Sequence, residues 1–205
     1  MKFDYLFFKR CFDIIFSFLI LIFGLPLFII ISLLIKFDSK GSIIYRGLRT
    51  GVNGSEFYMY KFRTMHDGSE LQGTTTALND PRITKIGKYL RKYKLDELPQ
   101  FFNVLVADMS IVGPRPEVSE HTSIYTEDEL RILSVKPGIT DYSSIYFSSL
   151  SELLGEDNAH FNFVSNFRHK KNLLRIRYVD ERSFLIDLYI ILNTVKVILL
   201  KFKSK

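Results

Sequence analysis

Between Ile14 and Ile35 the chain carries no charged residue. A run of that length can cross a bilayer as a helix. It is not a cleavable leader, because no small-residue cleavage site follows and its apolar core is too long. Composition alone favours one transmembrane helix, but two details oppose it. Gly24 and Pro26 fall mid-run, where proline removes a backbone hydrogen bond and kinks a helix. Basic residues flank both ends: Lys2, Lys9 and Arg10 before, Lys36 and Lys40 after. Positive charge marks the cytoplasmic side, so a two-sided excess suits a hairpin that enters and leaves by one face. The expectation is a re-entrant helix-break-helix over residues 1–40, with Lys9 and Asp13 one turn apart and able to pair at headgroup level. Residues 41–205 then form a cytosolic, membrane-associated domain.

With 205 residues and 24.0 kDa, the chain suits one modest core. A net charge of +6 and a pI near 9.3 favour anionic partners: nucleic acid, phosphate ligands or an acidic bilayer face. The lone Cys11 excludes an internal disulfide framework, and no Cys/His cluster has zinc-site spacing. His66, His121, His160 and His169 are scattered and read as surface or loop residues.

Chemistry concentrates in KLDELPQFFNVLVADMSIVGPRPE, Lys94 to Glu117. Pro99 is suited to a first helical turn, which puts Asp96 and Glu97 at a helix N-terminus, where the dipole favours a carboxylate. The same place attracts phosphate, so a cation must join the two: Mg²⁺, or the flanking Arg91, Lys92, Lys94 and Arg115. Pro114 and Pro116 stiffen the chain on either side of Arg115, a planar, bidentate phosphate binder. An acidic pair alone opens many helices and would carry no function.

Elsewhere, IIYRGLRTG and SEFYMYKFRTM read as a β-hairpin turning at Gly51-Val52-Asn53-Gly54. Arg46, Arg49, Lys61 and Arg63 make it basic; a solvated or headgroup-facing sheet would explain that equally well. Residues 67–79 read as a polar loop. A helix is expected from Lys85 to Lys94, with Ile86, Tyr89, Leu90 and Tyr93 on one face. Glu117 to Leu133 reads as a charged surface helix, with Glu127, Asp128, Glu129 and Arg131 in solvent. Phe161 to Arg177 reads as a basic, aromatic membrane-surface patch. From Ser183 to Phe202, Asp187, Thr194 and Lys201 recur every seven residues on an apolar helix, the pattern of an interfacial helix. The fold class is therefore helix-rich α+β: a re-entrant membrane hairpin, a small β-hairpin and amphipathic interfacial helices around a compact cytosolic domain.

From Lys9 to about Thr194 the chain resembles the bacterial sugar transferases, the monotopic polyprenyl-phosphate phosphoglycosyltransferases of the small, catalytic-domain-only type. LDELPQ, NVL and MSIVGPRPE carry the likeness most specifically. Lys9-Arg10-Cys11-Phe12-Asp13, Lys61-Phe62-Arg63-Thr64-Met65, Asp80-Pro81-Arg82-Ile83-Thr84, Lys136-Pro137-Gly138-Ile139-Thr140 and the Ser-Phe-x-x-Asp context of Asp187 extend it. Two departures stand out. Asp141 occupies a position where commoner members have glycine, near the expected sugar or nucleotide pocket. A Leu-Pro pair usual before a lysine in the 161–177 region is missing.

The resemblance implies transfer of a sugar 1-phosphate from a UDP-sugar to undecaprenyl phosphate, the first membrane step of a surface polysaccharide or glycoconjugate. Asp96 would attack the β-phosphorus, release UMP and carry the phosphosugar covalently. Glu97, with Asp96, would hold Mg²⁺. Arg91, Arg115, Lys61, Arg63 and Arg82 would contact phosphate or substrate, shaped by Pro114 and Pro116. Lys9, Asp13, Gly24 and Pro26 would build the membrane foot. The location implied is the bacterial inner membrane, with the catalytic domain on the cytoplasmic face and downstream glycosyltransferases as neighbours. Rival readings are a catalytically degenerate scaffold of the same pathway, a hydrolase of nucleotide sugars, and a nucleic-acid binder suggested only by charge. No recognised nucleic-acid motif supports the last.

Overall fold

In the computed structural model, described at residues 2–69, 76–77, 79–149, 161 and 167–203, the charge-free run forms two helices. Helix α1 (Lys2–Phe23) and α2 (Leu25–Asp38) meet at 60° across Gly24. Gly24 keeps helical φ and its amide still bonds Ile20 O at 2.9 Å; the break follows from Pro26, which brings no N–H to the first turn of α2. A Cβ at position 24 would stand 2.4 Å from the Ile20 carbonyl oxygen, inside the bend. Among the described residues no single helix is long and apolar enough to cross a membrane, but this bent pair passes that test together. Its outer surface is apolar and bare: Phe7, Phe8, Ile15, Phe23, Leu25 and Phe37 are all exposed.

The expected pair at the foot of α1 does not form. Lys9 does not pair with Asp13; its ammonium reaches Asp187 Oδ2 at 2.7 Å and the Val112 carbonyl at 2.9 Å. Asp13 is buried and accepts from Ser110 Oγ at 2.7 Å and from the Ile111 amide at 3.1 Å. One turn of helix brings the two Cα atoms close, but tertiary partners offered each side chain better-matched bonds.

Strands β1 (Ile44–Thr50) and β2 (Glu56–Phe62) pair antiparallel, Gly47 opposite Met59. The turn between them uses the left-handed region at Asn53 (φ 53°) and Gly54 (φ 80°), as the Asn-Gly pair predicts. Thr84 caps α3 (Lys85–Lys92) by accepting from Gly87 N at 3.0 Å. Ile86 and Leu90 of α3 pack inward beside Phe62 and Ile35, whereas Tyr89 is exposed. A helix α4 (Gln100–Leu105) lies against α1, and Arg10 donates to the carbonyls of Val104 (2.7 Å) and Leu105 (3.0 Å) at its end, a cation where free carbonyls need one.

Strand β3 (Ser110–Val112) pairs parallel with β4 (Gly138–Thr140). The two chains touch so closely at Gly113 and Gly138 that a Cβ on Gly138 would sit 2.1 Å from Gly113 N. Between the strands, the expected charged surface helix is instead α5 (Ser119–Thr122), α6 (Glu127–Leu130) and a 3-10 turn, Arg131–Ser134. Glu129 is buried rather than solvated: it completes a capping box with Thr126 and accepts from Asn172 Nδ2 at 2.9 Å. A short α7 (Tyr142–Tyr146) follows β4.

Helix α8 (Arg168–Glu181) overturns part of the membrane-patch reading. Arg175 is almost wholly enclosed and donates to Glu117 at 2.6 Å, which Lys171 also reaches at 3.1 Å. The stretch from 162 to 166 lies outside the described residues, as do 70–75 and 78 of the expected polar loop. Helix α9 (Phe184–Lys203) turns its seven-residue polar stripe inward. Asp187 meets Lys9, Tyr5 and Tyr178, Thr194 lies 2.7 Å from Thr140 Oγ1, and Lys201 donates to Ser148 O at 2.8 Å. Leu185, Leu192 and Leu199 face outward and are exposed. The protein is thus helix-rich α+β. One core cluster, around Met59, Val104, Met109, Val112, Tyr178 and Ile190, joins β2, α4, β3, α8 and α9; a second, around Ile31, Ile35, Phe62 and Leu90, seats α2 on β2 and α3.

Candidate active site

After α3 the chain passes through Lys94 in the left-handed region (φ 59°) and winds into a 3-10 turn, Leu95–Glu97. Asp96 and Glu97 therefore precede α4 by a turn and Pro99 is its N-cap, so they are not the opening residues of a long helix. Dipole stabilisation at a six-residue helix is slight, and side chains supply the charge balance instead. Both carboxylates are buried. Arg115 donates to Glu97 through both terminal nitrogens, at 2.9 and 2.5 Å, and through one of them to Ile139 O at 3.1 Å. Lys61, on β2, stands 3.6 Å from Glu97.

The backbone places Arg115 by two routes. The Pro114 carbonyl accepts from Gly138 N at 2.9 Å, and the Arg115 amide donates to Asp141 Oδ2 at 3.3 Å. Asp141 is completely enclosed; it caps α7 through Ser144 N (2.6 Å), bonds Ser143 Oγ and lies 4.0 Å from Arg175 Nε. The residue marked by sequence as a departure near the sugar pocket is a scaffold under the Gly113–Pro116 corner. Its side chain faces the core because glycine-like freedom is not what this position uses: it has extended φ and spends its carboxylate on backbone amides.

The two acids differ electrostatically. Burial works against the charge on Glu97, but Arg115 and then Lys61 outweigh it and hold Glu97 well below the usual carboxylate range. Asp96 is pushed up, first by burial and then by the Glu97 charge beside it. Its Oδ1 is enclosed with no hydrogen-bond partner among the described residues. Burial likewise pulls the Lys61 ammonium down to about 8. Arg91 donates to Thr64 Oγ1 at 2.8 Å and Thr76 Oγ1 at 3.2 Å, and feels the charges of Asp96 and Asp80.

Asp96, Glu97, Lys61 and Arg115 are thus brought together, with Arg91 in electrostatic reach. Arg63 and Arg82 are placed differently. Arg63 is buried and grips the carbonyls of Ser39 (2.7 Å) and Lys40, tying the end of α2 to β2. Arg82 closes on Asp80 at 2.7 Å. In strand geometry neighbours 61 and 62 point to opposite faces; Phe62 enters the core and Lys61 the site. Sequence reading missed the enclosed amides Gln100 and Asn103. The helical spacing of DELPQ-x-x-N was the signal, since it stacks both amides on the face that carries the acids.

Among the described residues, no group of three or more His, Cys, Asp or Glu side chains is arranged to hold a metal. A carboxylate offers about four lone-pair directions, and Arg115 takes two of those on Glu97. Two adjacent carboxylates with that spare capacity fit Mg²⁺, which binds through one or two acids and fills its shell with phosphate oxygens and water.

Residues 4–201 match the bacterial sugar transferase family. The chain is 45% identical over 145 residues, 67% of its length, to the UDP-glucose:undecaprenyl-phosphate glucose-1-phosphate transferase of Klebsiella pneumoniae, but spans only 30% of that protein. It is 35% identical over 198 residues to the undecaprenyl-phosphate glucose phosphotransferase of Komagataeibacter xylinus, covering 92% of this chain and 35% of the relative. With the exopolysaccharide production protein ExoY of Rhizobium meliloti it shares 33% identity over 208 residues, 94% of this chain and 85% of the relative. A buried acid pair backed by a proline-braced arginine, within a match that runs almost end to end, makes the chain a member of the bacterial sugar transferase family.

Proposed function

We propose that the protein transfers a sugar 1-phosphate from a UDP-sugar to undecaprenyl phosphate through a phosphosugar carried on Asp96. One observation carries the reading: of two adjacent buried carboxylates, Glu97 is bound on both oxygens by Arg115, while Oδ1 of Asp96 has no hydrogen-bond partner among the described residues. A carboxylate nucleophile needs that freedom. Oδ2 of Asp96 attacks the sugar-bearing phosphorus; the bond to the bridging oxygen breaks and UMP leaves with the electron pair. The product is a mixed anhydride between Asp96 and the sugar phosphate. A phosphate oxygen of the lipid then attacks the same phosphorus, the Asp96–phosphorus bond breaks, and the free carboxylate returns.

Lys61 and Arg91 are set to meet the diphosphate, and Arg115 keeps Glu97 charged and oriented. Mg²⁺, held by Glu97 and Asp96, would offset charge on the diphosphate; chelation should stop UMP release and added Mg²⁺ restore it. The names of two relatives, glucose phosphotransferases acting with undecaprenyl phosphate, support the lipid acceptor. The apolar outer faces of α1, α2 and α9 support a re-entrant hairpin and an interfacial helix in the bacterial inner membrane. The body lies on the cytoplasmic side, where UDP-sugars are, and downstream glycosyltransferases would take the product.

The test is intact-mass analysis after incubation with UDP-sugars and no lipid acceptor. The expected result is a phosphosugar adduct on the wild type and none on Asp96→Asn; turnover by Asp96→Asn would remove Asp96 from the nucleophile role. A panel of UDP-sugars in the same assay identifies the donor.

A further inference from the structure

Two carboxamides lie about one turn apart on the buried face of α4 and are used in opposite ways. Asn103 is fully spent: Oδ1 accepts from Tyr60 N at 2.9 Å, and Nδ2 donates to Tyr58 O at 2.8 Å and Asp108 Oδ2 at 3.3 Å. Gln100 has no exposed surface, and neither Oε1 nor Nε2 has a hydrogen-bond partner among the described residues. From Leu95 onward the chain keeps turning in one sense, with Leu98 N bonded to Leu95 O, Phe101 N to Leu98 O and Phe102 N to Pro99 O. Asp96, Gln100 and Asn103 thus follow an i, i+4, i+7 spacing and share a face. That face is held against β2 at both ends, by Glu97 beside Lys61 and by Asn103 on Tyr58 and Tyr60. Gln100 sits between.

Asp96 Oδ1 is an enclosed acceptor without a donor, and Gln100 Nε2 is an enclosed donor without an acceptor. A structural amide this deep would be bonded, as Asn103 is, because an unmatched buried polar group is costly. We infer that Gln100 is the positioning residue of the nucleophile. Its terminal torsion, broad and two-fold in glutamine, swings Nε2 onto Asp96 Oδ1 when the donor sugar nucleotide binds. That contact pins the carboxylate rotamer and leaves Oδ2 aimed at phosphorus. Gln100 has no exposed atom while Asp96 keeps 6% exposure, so the acid, not the amide, meets the substrate. The inference rests on Asp96 as the nucleophile.

Gln100→Met keeps length and flexibility and removes both polar atoms; Gln100→Glu keeps shape and replaces the donor. Single-turnover adduct formation with UDP-sugar alone should slow by roughly 10- to 100-fold in both. Donor KM should stay within about twofold, and the melting temperature of Gln100→Met should equal or exceed that of the wild type. Wild-type adduct rates in Gln100→Met would overturn the proposal. So would a Gln100→Met protein that unfolds or melts well below the wild type, since the amide would then be structural. If the wild type forms no adduct, the nucleophile reading itself fails, a result distinct from a normal wild type with an unimpaired Gln100→Met.

Discussion

Arg115 holds Glu97 with a two-nitrogen fork, at 2.9 and 2.5 Å, across a buried gap between the Gly113–Pro116 corner and the Leu95–Glu97 turn. The two residues lie eighteen positions apart, and the fork is what makes the neighbouring acids unlike. One is a satisfied anion, the other a strained one.

Removing the fork should therefore damage both stability and chemistry. Arg115→Ala leaves Glu97 buried beside Lys61 alone, and breaking a buried pair costs about 3–5 kcal/mol. The Arg115 side chain is 22% exposed, so a loss of about 3 kcal/mol is expected. Arg115→Lys should recover part of the stability and little of the activity, because an ammonium cannot form the fork. Urea denaturation and UMP release measure the two.

Asp96→Asn should separate activity from stability in the opposite direction. Burial, then Glu97, raises the Asp96 pKa above its ordinary 3.8. A raised acid favours folding fully only below that ordinary value and loses the benefit as pH rises through its folded pKa. The variant should release no UMP yet unfold at higher urea at pH 7.5, with the advantage fading as the pH is lowered toward 3.8.

Glu117 offers the reverse case away from the site. Despite burial, Lys171 and Arg175 hold it well below its ordinary 4.5. Glu117→Gln leaves Arg175, 1% exposed in its side chain, with only the more distant Asp141 as its anion, and should cost about 3 kcal/mol at neutral pH. A lowered acid contributes fully above its unfolded pKa and loses that contribution as pH falls toward its folded one. The gap between wild type and variant should be flat above pH 5 and close below 4.5. Denaturation midpoints across that range check it.

The link between Lys9 and Asp187 joins α1 to α9 at 2.7 Å, with side chains 13% and 4% exposed. Asp187→Leu alone should cost about 3 kcal/mol, whereas Lys9→Met with Asp187→Leu should recover most of it, since paired apolar replacement of a buried ion pair is often neutral. Thermal melts in detergent of both singles and the double give the coupling.

How far sequence reached can be judged residue by residue. The break at Gly24–Pro26 and the Asn53-Gly54 turn were legible, because each depends on backbone chemistry within a few positions. The acid pair and the arginine between two prolines could be named, but not the fork between them. Charged residues were misjudged for one reason: Glu117, Glu129, Lys171 and Arg175 look like solvated surface when counted one at a time. Glu129 and Arg175 are buried, and Glu117 and Lys171 half-buried, only because an oppositely charged or amide partner arrives from another element. What Asp141 bonds could not be read from sequence: its partners are the Arg115 and Ser144 amides and the Ser143 hydroxyl.

By itself the amino-acid order determined the N-terminal helix pair and its bend, the β1–β2 hairpin, the α3 and α9 helices, and which family the chain joins, since local torsional preference and apolar periodicity act over short spans. Only tertiary structure decided which ions meet. It sent Lys9 to Asp187, aimed the stripe of α9 inward, gave Glu97 to Arg115 and left Asp96 and Gln100 unmatched. Burial and Coulomb energy depend on what surrounds a group in space, and residues far apart along the chain supply those surroundings.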